Sequence, residues 1–200
     1  IMELLSRHVH KLGFFRPLVR EGETNDDAIR LISSRYHLPF PDCIRYGMTL
    51  EKARALVGEE KYDELLKRTL EEYRSLESDC DFVVCLGTGF HDIPPGLALD
   101  FNIDVANNLG ALAAPVASGS GRTPQEVIRR SSVLLNLLET KRCEVLALFV
   151  NRVAPEGVDE IRELASKGKK GVPIFALPEL AVLAKPTVGE IAEGVGAARW

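Results

Sequence analysis

The stretch EVLALFVNRV, residues 144 to 153, decides the fold. Its apolar residues follow one another with almost no polar interruption, and it closes on Asn151 and Arg152. A short continuous apolar run is the pattern of a strand buried on both faces, whereas a half-exposed strand alternates apolar and polar residues. The segment after it, PEGVDEIRELASKG (155 to 168), has helical spacing, and VPIFALP (172 to 178) is a second apolar run. TVGEIAEGVG (187 to 196) reads as a last helix. Upstream, TPQEVIRRSSVLLNLLE (123 to 139) is a well-marked helix. Thr123 is its cap, Pro124 takes the first helical position, Glu126 completes a capping box, and Val127, Leu134, Leu135 and Leu138 line one face.

The same alternation continues toward the N-terminus. ALAAPVAS (111 to 118) and DFVVCLGTGF (81 to 90) each hold a strand, the second running into a glycine turn, and IDVANNLG (103 to 110) is a helix ending at Gly110. TLEKARALVGEEKYDELLKRTLEEYRSLE (49 to 77) is a charged helical hairpin broken at Gly58, with Leu65, Leu66, Leu70 and Tyr73 facing inward. HLPFPDCIRYGMT (37 to 49) reads as a Pro- and Gly-punctuated loop. TNDDAIRLISSRY (24 to 36) is a helix capped by Thr24 or Asn25, with Ala28, Ile29 and Ile32 on one face. KLGFFRPL (11 to 18) is a short buried strand closed by Pro17. Strands alternating with helices, each strand covered on both faces, define a doubly wound α/β fold with a mostly parallel sheet. The length, 200 residues, suits one such domain spanning residues 1 to 200.

The chain is 46% hydrophobic and 27% charged, with a net charge of -4. That balance gives no non-specific pull toward nucleic acid or an anionic membrane, and no apolar stretch is long enough to span a bilayer. The four cysteines, Cys43, Cys80, Cys85 and Cys143, show no C-x-x-C spacing and are read as reduced thiols of a cytoplasmic protein. The chain opens IMELLSRHVH, with Ile1, Met2, Leu4, Leu5 and Val9 on helical spacing, no capping residue ahead of them and no initiator methionine. It is therefore read as a fragment of a longer polypeptide.

Ligands of an open α/β sheet bind beyond the carboxyl ends of its strands. Arg16 at the end of FFRP could hold a phosphate or carboxylate. Gly87 and Thr88 of LGTGF lie in a glycine turn that either lets a ligand approach the backbone or only supplies positive φ. Asn151 either reads a base edge or ties down neighbouring backbone. Asp26 and Asp27 either hold Mg²⁺ through oxygen ligands or cap their helix. His8 and His10 point to different sides of a helix, and KGKK (167 to 170) is a solvated loop. The loop SGSGRT (118 to 123), with Gly119, Gly121 and Arg122, imitates a Walker A loop. Val116 stands where the first glycine is required and Arg122 replaces the lysine, so it is a capped turn that can at most touch an anion. No nucleophile, base and acid form a set, so no catalytic residue is assigned.

In chain order, KLGFFRP, GMTLEKARALV, DFVVCLGTGF, DVANNLGA, SGSGRTPQEVI, FVNRV, VPIFALPE and PTVGEIAE resemble the N-terminal domain of long-form phosphate acetyltransferases. That domain is similar to dethiobiotin synthetase and the cobyrinic acid amidases, a branch of the P-loop ATPase fold. The resemblance covers nearly the whole chain. It implies that the first strand and the P-loop lie upstream of Ile1. It also implies that Asn151, with Arg152, helps bind a nucleotide, and that Pro178 and Glu179 flank the base. Arg16, Gly87, Thr88, Gly119, Gly121 and Arg122 would then face phosphates or a second ligand. Leu86 and Gly89 stand where relatives carry Glu and Asp, which removes two groups suited to Mg²⁺ or proton handling.

The function implied is a regulatory or assembly domain of a phosphate acetyltransferase, the parent enzyme exchanging acetyl between acetyl-CoA and phosphate. This domain would sense ATP with Mg²⁺, or a small-molecule effector, and would not transfer acetyl itself. Its partners would be the rest of its own polypeptide and further copies in a homo-oligomer. An ATP-dependent ligase of the dethiobiotin synthetase or cobyrinic acid a,c-diamide synthase type is the second reading. An adaptor with a vestigial nucleotide fold is the third.

Overall fold

The structure, a computed structural model, describes residues 1–20, 26–89, 95–166 and 171–185. The expected last helix and the KGKK loop lie outside them. The chain forms two compact units, Ile1–Ala111 and Leu112–Trp200. Each is built around its own three-stranded parallel sheet. The α/β class with parallel strands flanked by helices agrees with the doubly wound reading.

In the first unit the strands are β1 (Leu12–Val19), β2 (Ile44–Thr49) and β3 (Phe82–Cys85), in the order β2-β1-β3. The register sets Phe14 against Ile44 and Phe15 against Cys85. Because side chains alternate across a strand, Phe14 and Phe15 serve opposite faces of β1. Phe14 packs with Ile29 and Ile44, and Phe15 with Tyr73 and Leu76, its ring meeting that of Tyr73 edge-on at 5.4 Å. The helices are α1 (Met2–Leu5), α2 (Asp27–Tyr36), α3 (Leu50–Gly58), α4 (Tyr62–Glu77) and α5 (Pro95–Leu109). Leu65, Leu70 and Tyr73 are buried and Leu66 packs partly against the core, as the hairpin pattern requires.

Several expectations are corrected here. Strand β1 runs through Pro17 to Val19, so Arg16 is inside the strand and not at its end. The backbone N–H of Phe14 points to β2, donating to the Cys43 carbonyl, while Phe15 faces β3, its carbonyl accepting from Leu86. Pro17, which has no N–H to donate, lies past Phe15, the last residue of β1 paired with β3. The segment expected to be a loop contains β2. Gly47, taken as turn punctuation, is instead a close approach: a Cβ there would lie 2.5 Å from the Pro17 carbonyl oxygen and 2.9 Å from Thr69 Cγ2. Helix α1 is a single turn, and α2 is capped by Asp26, whose Oδ1 accepts from Ile29 N at 2.9 Å. At the hairpin corner the left-handed residue is Glu60, φ 60°, not Gly58.

In the second unit β4 (Val116–Ser118), β5 (Leu148–Val153) and β6 (Ile174–Pro178) stand in the order β4-β5-β6. Helices α6 (Pro124–Thr140) and α7 (Val158–Ser166) pack on one another and on the sheet, with Val127, Val150, Val153, Val158 and Ile161 as the core. A 3-10 turn over Pro155–Gly157 leads into α7. Helix α6 carries the full capping box of Thr123 and Glu126. Burial on both faces holds for β1 throughout and only in part for β3, β4 and β6, each of which is an edge strand of its three-stranded sheet.

Candidate functional site

The carboxyl ends of β4, β5 and β6 come together through backbone hydrogen bonds. Ser118 is paired with Asn151 and Val153 with Pro178. Gly119 N donates to the Asn151 carbonyl at 2.7 Å, and Glu179 N donates to the Val153 carbonyl at 2.7 Å. Gly119, Asn151, Arg152, Pro178 and Glu179 therefore share one rim. Gly119 is held close, since a Cβ on it would lie 2.7 Å from Val153 Cγ2.

The rim has an irregular backbone. The β5–β6 register shifts between Val150 and Val153, and Arg152 takes a φ of 61°, a left-handed conformation unfavourable for a side chain of this kind. Two contacts hold it. Asn151 Oδ1 accepts from Arg152 N at 2.9 Å, and the Arg152 Nε donates to Glu179 Oε1 at 2.9 Å. The Asn151 amide thus ties down backbone through its oxygen. Both side chains stand in solvent at the strand end, and the amide N–H₂ of Asn151 donates to no described residue. Strain held in place at the end of a buried strand is the kind of backbone feature that gathers at ligand sites.

The SGSGRT loop belongs to the same unit. Gly121 has a φ of 67°, Arg122 N donates to the Gly119 carbonyl at 3.2 Å, and Arg122 Nη1 donates to the Ser118 carbonyl at 2.6 Å. The loop closes on itself and delivers Thr123 to the capping box. Glu126 accepts from Thr123 N and Oγ1, bonds that hold its carboxyl below the usual range, with Arg129 and Arg130 adding to the effect.

In the first unit the expected ligand arm, Arg16, is turned inward. Its Nε donates to Asp26 Oδ2 at 3.1 Å, and its Nη1 donates to the carbonyls of Leu86 and Gly87 at 2.9 Å each. Arg16 therefore ties the end of β3 to the cap of α2. Asp26 is buried and uses both oxygens in this way, whereas Asp27 is almost wholly exposed and pairs with Arg30 at 3.5 Å. The two carboxylates do not converge. Among the described residues no three His, Cys, Asp or Glu side chains gather as a metal site.

Asn102 on α5 is a residue that sequence reasoning missed. Its Oδ1 accepts from Thr88 N at 2.8 Å and its Nδ2 donates to the Thr88 carbonyl at 2.9 Å, clasping the glycine turn to the helix. Thr88 is buried, and its Oγ1 has no hydrogen-bond partner. Nothing in the spacing of residues 88 and 102 could have signalled this pairing. Below the turn, burial pushes the Cys85 thiol up to about 12, opposed in part by the Arg16 charge.

Over 98% of its length the chain is 32% identical to a phosphate acetyltransferase of Nitratidesulfovibrio vulgaris. The likeness is to phosphate acetyltransferase, nearly end to end. A phosphate acetyltransferase of Synechocystis is 23% identical over the same share. The chain spans 29% of the length of each of these relatives, so it is homologous to one part of a phosphate acetyltransferase. No family model and no solved structure matches it. No helix among the described residues is long and apolar enough to cross a membrane.

Proposed function

We propose that this chain is the regulatory and assembly portion of a phosphate acetyltransferase, with acetyl transfer from acetyl-CoA to phosphate carried out elsewhere in the parent polypeptide. The observation that carries the reading is the near end-to-end likeness to part of two phosphate acetyltransferases. On this reading the fold is of the P-loop ATPase, dethiobiotin synthetase-like kind. The base of a nucleotide would lie at the β5–β6 rim, its edge read by the open amide N–H₂ of Asn151, with Arg152, Pro178 and Glu179 around it. The residues fit such a role: an amide donor, a guanidinium face for stacking and a fixed strand end lie on one rim. Gly119, Gly121 and Arg122 would then border the ligand, and Arg16, Gly87 and Thr88 would shape the first unit's strand ends.

The test uses the full parent enzyme, intact and with this region deleted. Acetyl transfer should survive the deletion, while Mg-ATP binding by calorimetry and the oligomeric state in sedimentation should change. Asn151→Ala in the intact enzyme should weaken Mg-ATP binding and leave transfer unchanged. Loss of all transfer on deletion, with the remaining polypeptide still folded, would overturn the reading.

A further inference from the structure

We propose that the second unit holds a site for a small organic anion, a carboxylate on a short aliphatic body, in the cavity between β4 and α6, adjoining the rim described above. The cavity measures about 170 Å³. At about 30 Å³ per water in the liquid, this is space for on the order of five or six heavy atoms. It runs along the α6 face of the sheet and reaches the end of β4, where Ser118 and Arg122 line it.

Its chemistry is divided. The wall is aliphatic: Ala117 and Val150 from the strands, Val127 and Leu134 from the helix. Two arginines, Arg122 and the solvent-exposed Arg130, line it. Arg122 is fixed there by its Nη1 bond to the Ser118 carbonyl, which leaves the other donors of its fork. Arg130 makes no hydrogen bond or ion pair among the described residues. The one acid close by on α6, Glu126, is engaged by Thr123. Planar forks beside an apolar wall match a carboxylate with a hydrocarbon tail.

Ser131 supplies the second, independent observation. It lines the same cavity, is 1% exposed, and its hydroxyl has no hydrogen-bond partner. Buried hydroxyls inside helices usually bond back one turn, and two hydroxyls of this same helix do so: Ser132 donates to the Ile128 carbonyl and Thr140 to the Asn136 carbonyl. Ser131 forgoes that bond. An unpaired buried hydroxyl is unfavourable in the empty protein, so alanine would suit the position better if packing were its only role. A carboxylate in the cavity would give it an acceptor.

The experiment measures thermal unfolding and calorimetric binding of the 200-residue chain with butyrate, inorganic phosphate and butylammonium as probes. Butyrate should raise the unfolding midpoint and shift the amide resonances of Ala117 and Ser131. Phosphate should act more weakly, and butylammonium not at all. Arg130→Ala should weaken butyrate about tenfold or more, in keeping with loss of a charge-assisted contact. Ser131→Ala should raise the ligand-free midpoint and shrink the butyrate response. The proposal is overturned if butyrate fails to bind at tens of millimolar, or if Arg130→Ala leaves its binding intact. It also fails if Ser131→Ala raises the midpoint with the butyrate response unchanged, or if phosphate and butyrate act equally, as at an adventitious ion site. None of these outcomes depends on ATP binding, so failure here is separable from failure of the proposed function.

Discussion

Arg16 offers the sharpest test of how the first unit is built, because the side chain expected to reach for a ligand is used as a clamp. Its side chain is 11% exposed and that of Asp26 6%, so water screens the pair little. Arg16→Met keeps the stem that lies in the strand and removes the guanidinium. Asp26 then loses its cation, and the carbonyls of Leu86 and Gly87 lose their shared donor. Removing one partner of a buried ion pair typically costs about 3–5 kcal/mol, since the other charge is left uncompensated. With a urea dependence of about 2 kcal/mol per molar, the unfolding midpoint should fall by roughly 1.5–2.5 M, read by circular dichroism. Asp26→Asn separates the two roles of that residue. Asparagine still caps a helix about as well as aspartate, so the loss it causes reports the ion pair alone. The double variant should lose less than the sum of the single losses, by about 0.5–3 kcal/mol, because the two residues share one interaction. A loss of under about 1 kcal/mol for Arg16→Met, or strict additivity in the double variant, would refute the clamp. The guanidinium would then be available to a ligand after all.

Three further outcomes are expected. The carboxyl of Glu126 is held below its ordinary value of 4.5 by its bonds to Thr123, so its contribution is complete above that value. It fades as pH falls through the lowered folded value, and acid titrations of the wild type and Glu126→Gln should converge there and diverge near neutrality. Cys85 is half-buried and its thiol is pushed up to about 12 by desolvation, so it should react with iodoacetamide at pH 8 more slowly in the native protein than after denaturation; equal rates would show that the thiol is not held neutral. Arg152→Gly should change stability by less than about 1 kcal/mol in urea unfolding. Release of the left-handed strain offsets loss of a half-exposed ion pair that contributes about 0–1 kcal/mol. A loss above about 2 kcal/mol would make the Arg152–Glu179 contact a structural strut.

Much of the fold was written locally. The later part of the run at 144 to 153 became β5, the Thr123-to-Glu126 signature became a capping box, and Gly110, with a φ of 60°, followed the end of α5. Each of these rests on interactions within a few residues of the chain, which sequence spacing displays directly. In the second unit the sequence also located the carboxyl ends of β4, β5 and β6, because a strand's carboxyl end is marked by where its apolar run stops.

What only the tertiary structure decided lies where partners are far apart in sequence. Strand β2 was hidden because its glycine is required by Pro17 and Thr69, on β1 and α4, and not by a turn of its own. Arg16 was taken for a ligand arm because its acceptors, Asp26, Leu86 and Gly87, come from two other segments. The clasp of Asn102 on Thr88 and the unpartnered hydroxyl of Ser131 depend on which neighbour folding brings alongside. The sequence by itself determined the elements, their caps and the strand ends at which chemistry could gather. The tertiary structure decided which polar groups are already satisfied, because a hydrogen bond is fixed by distance and direction in space, and neither is carried by order along the chain.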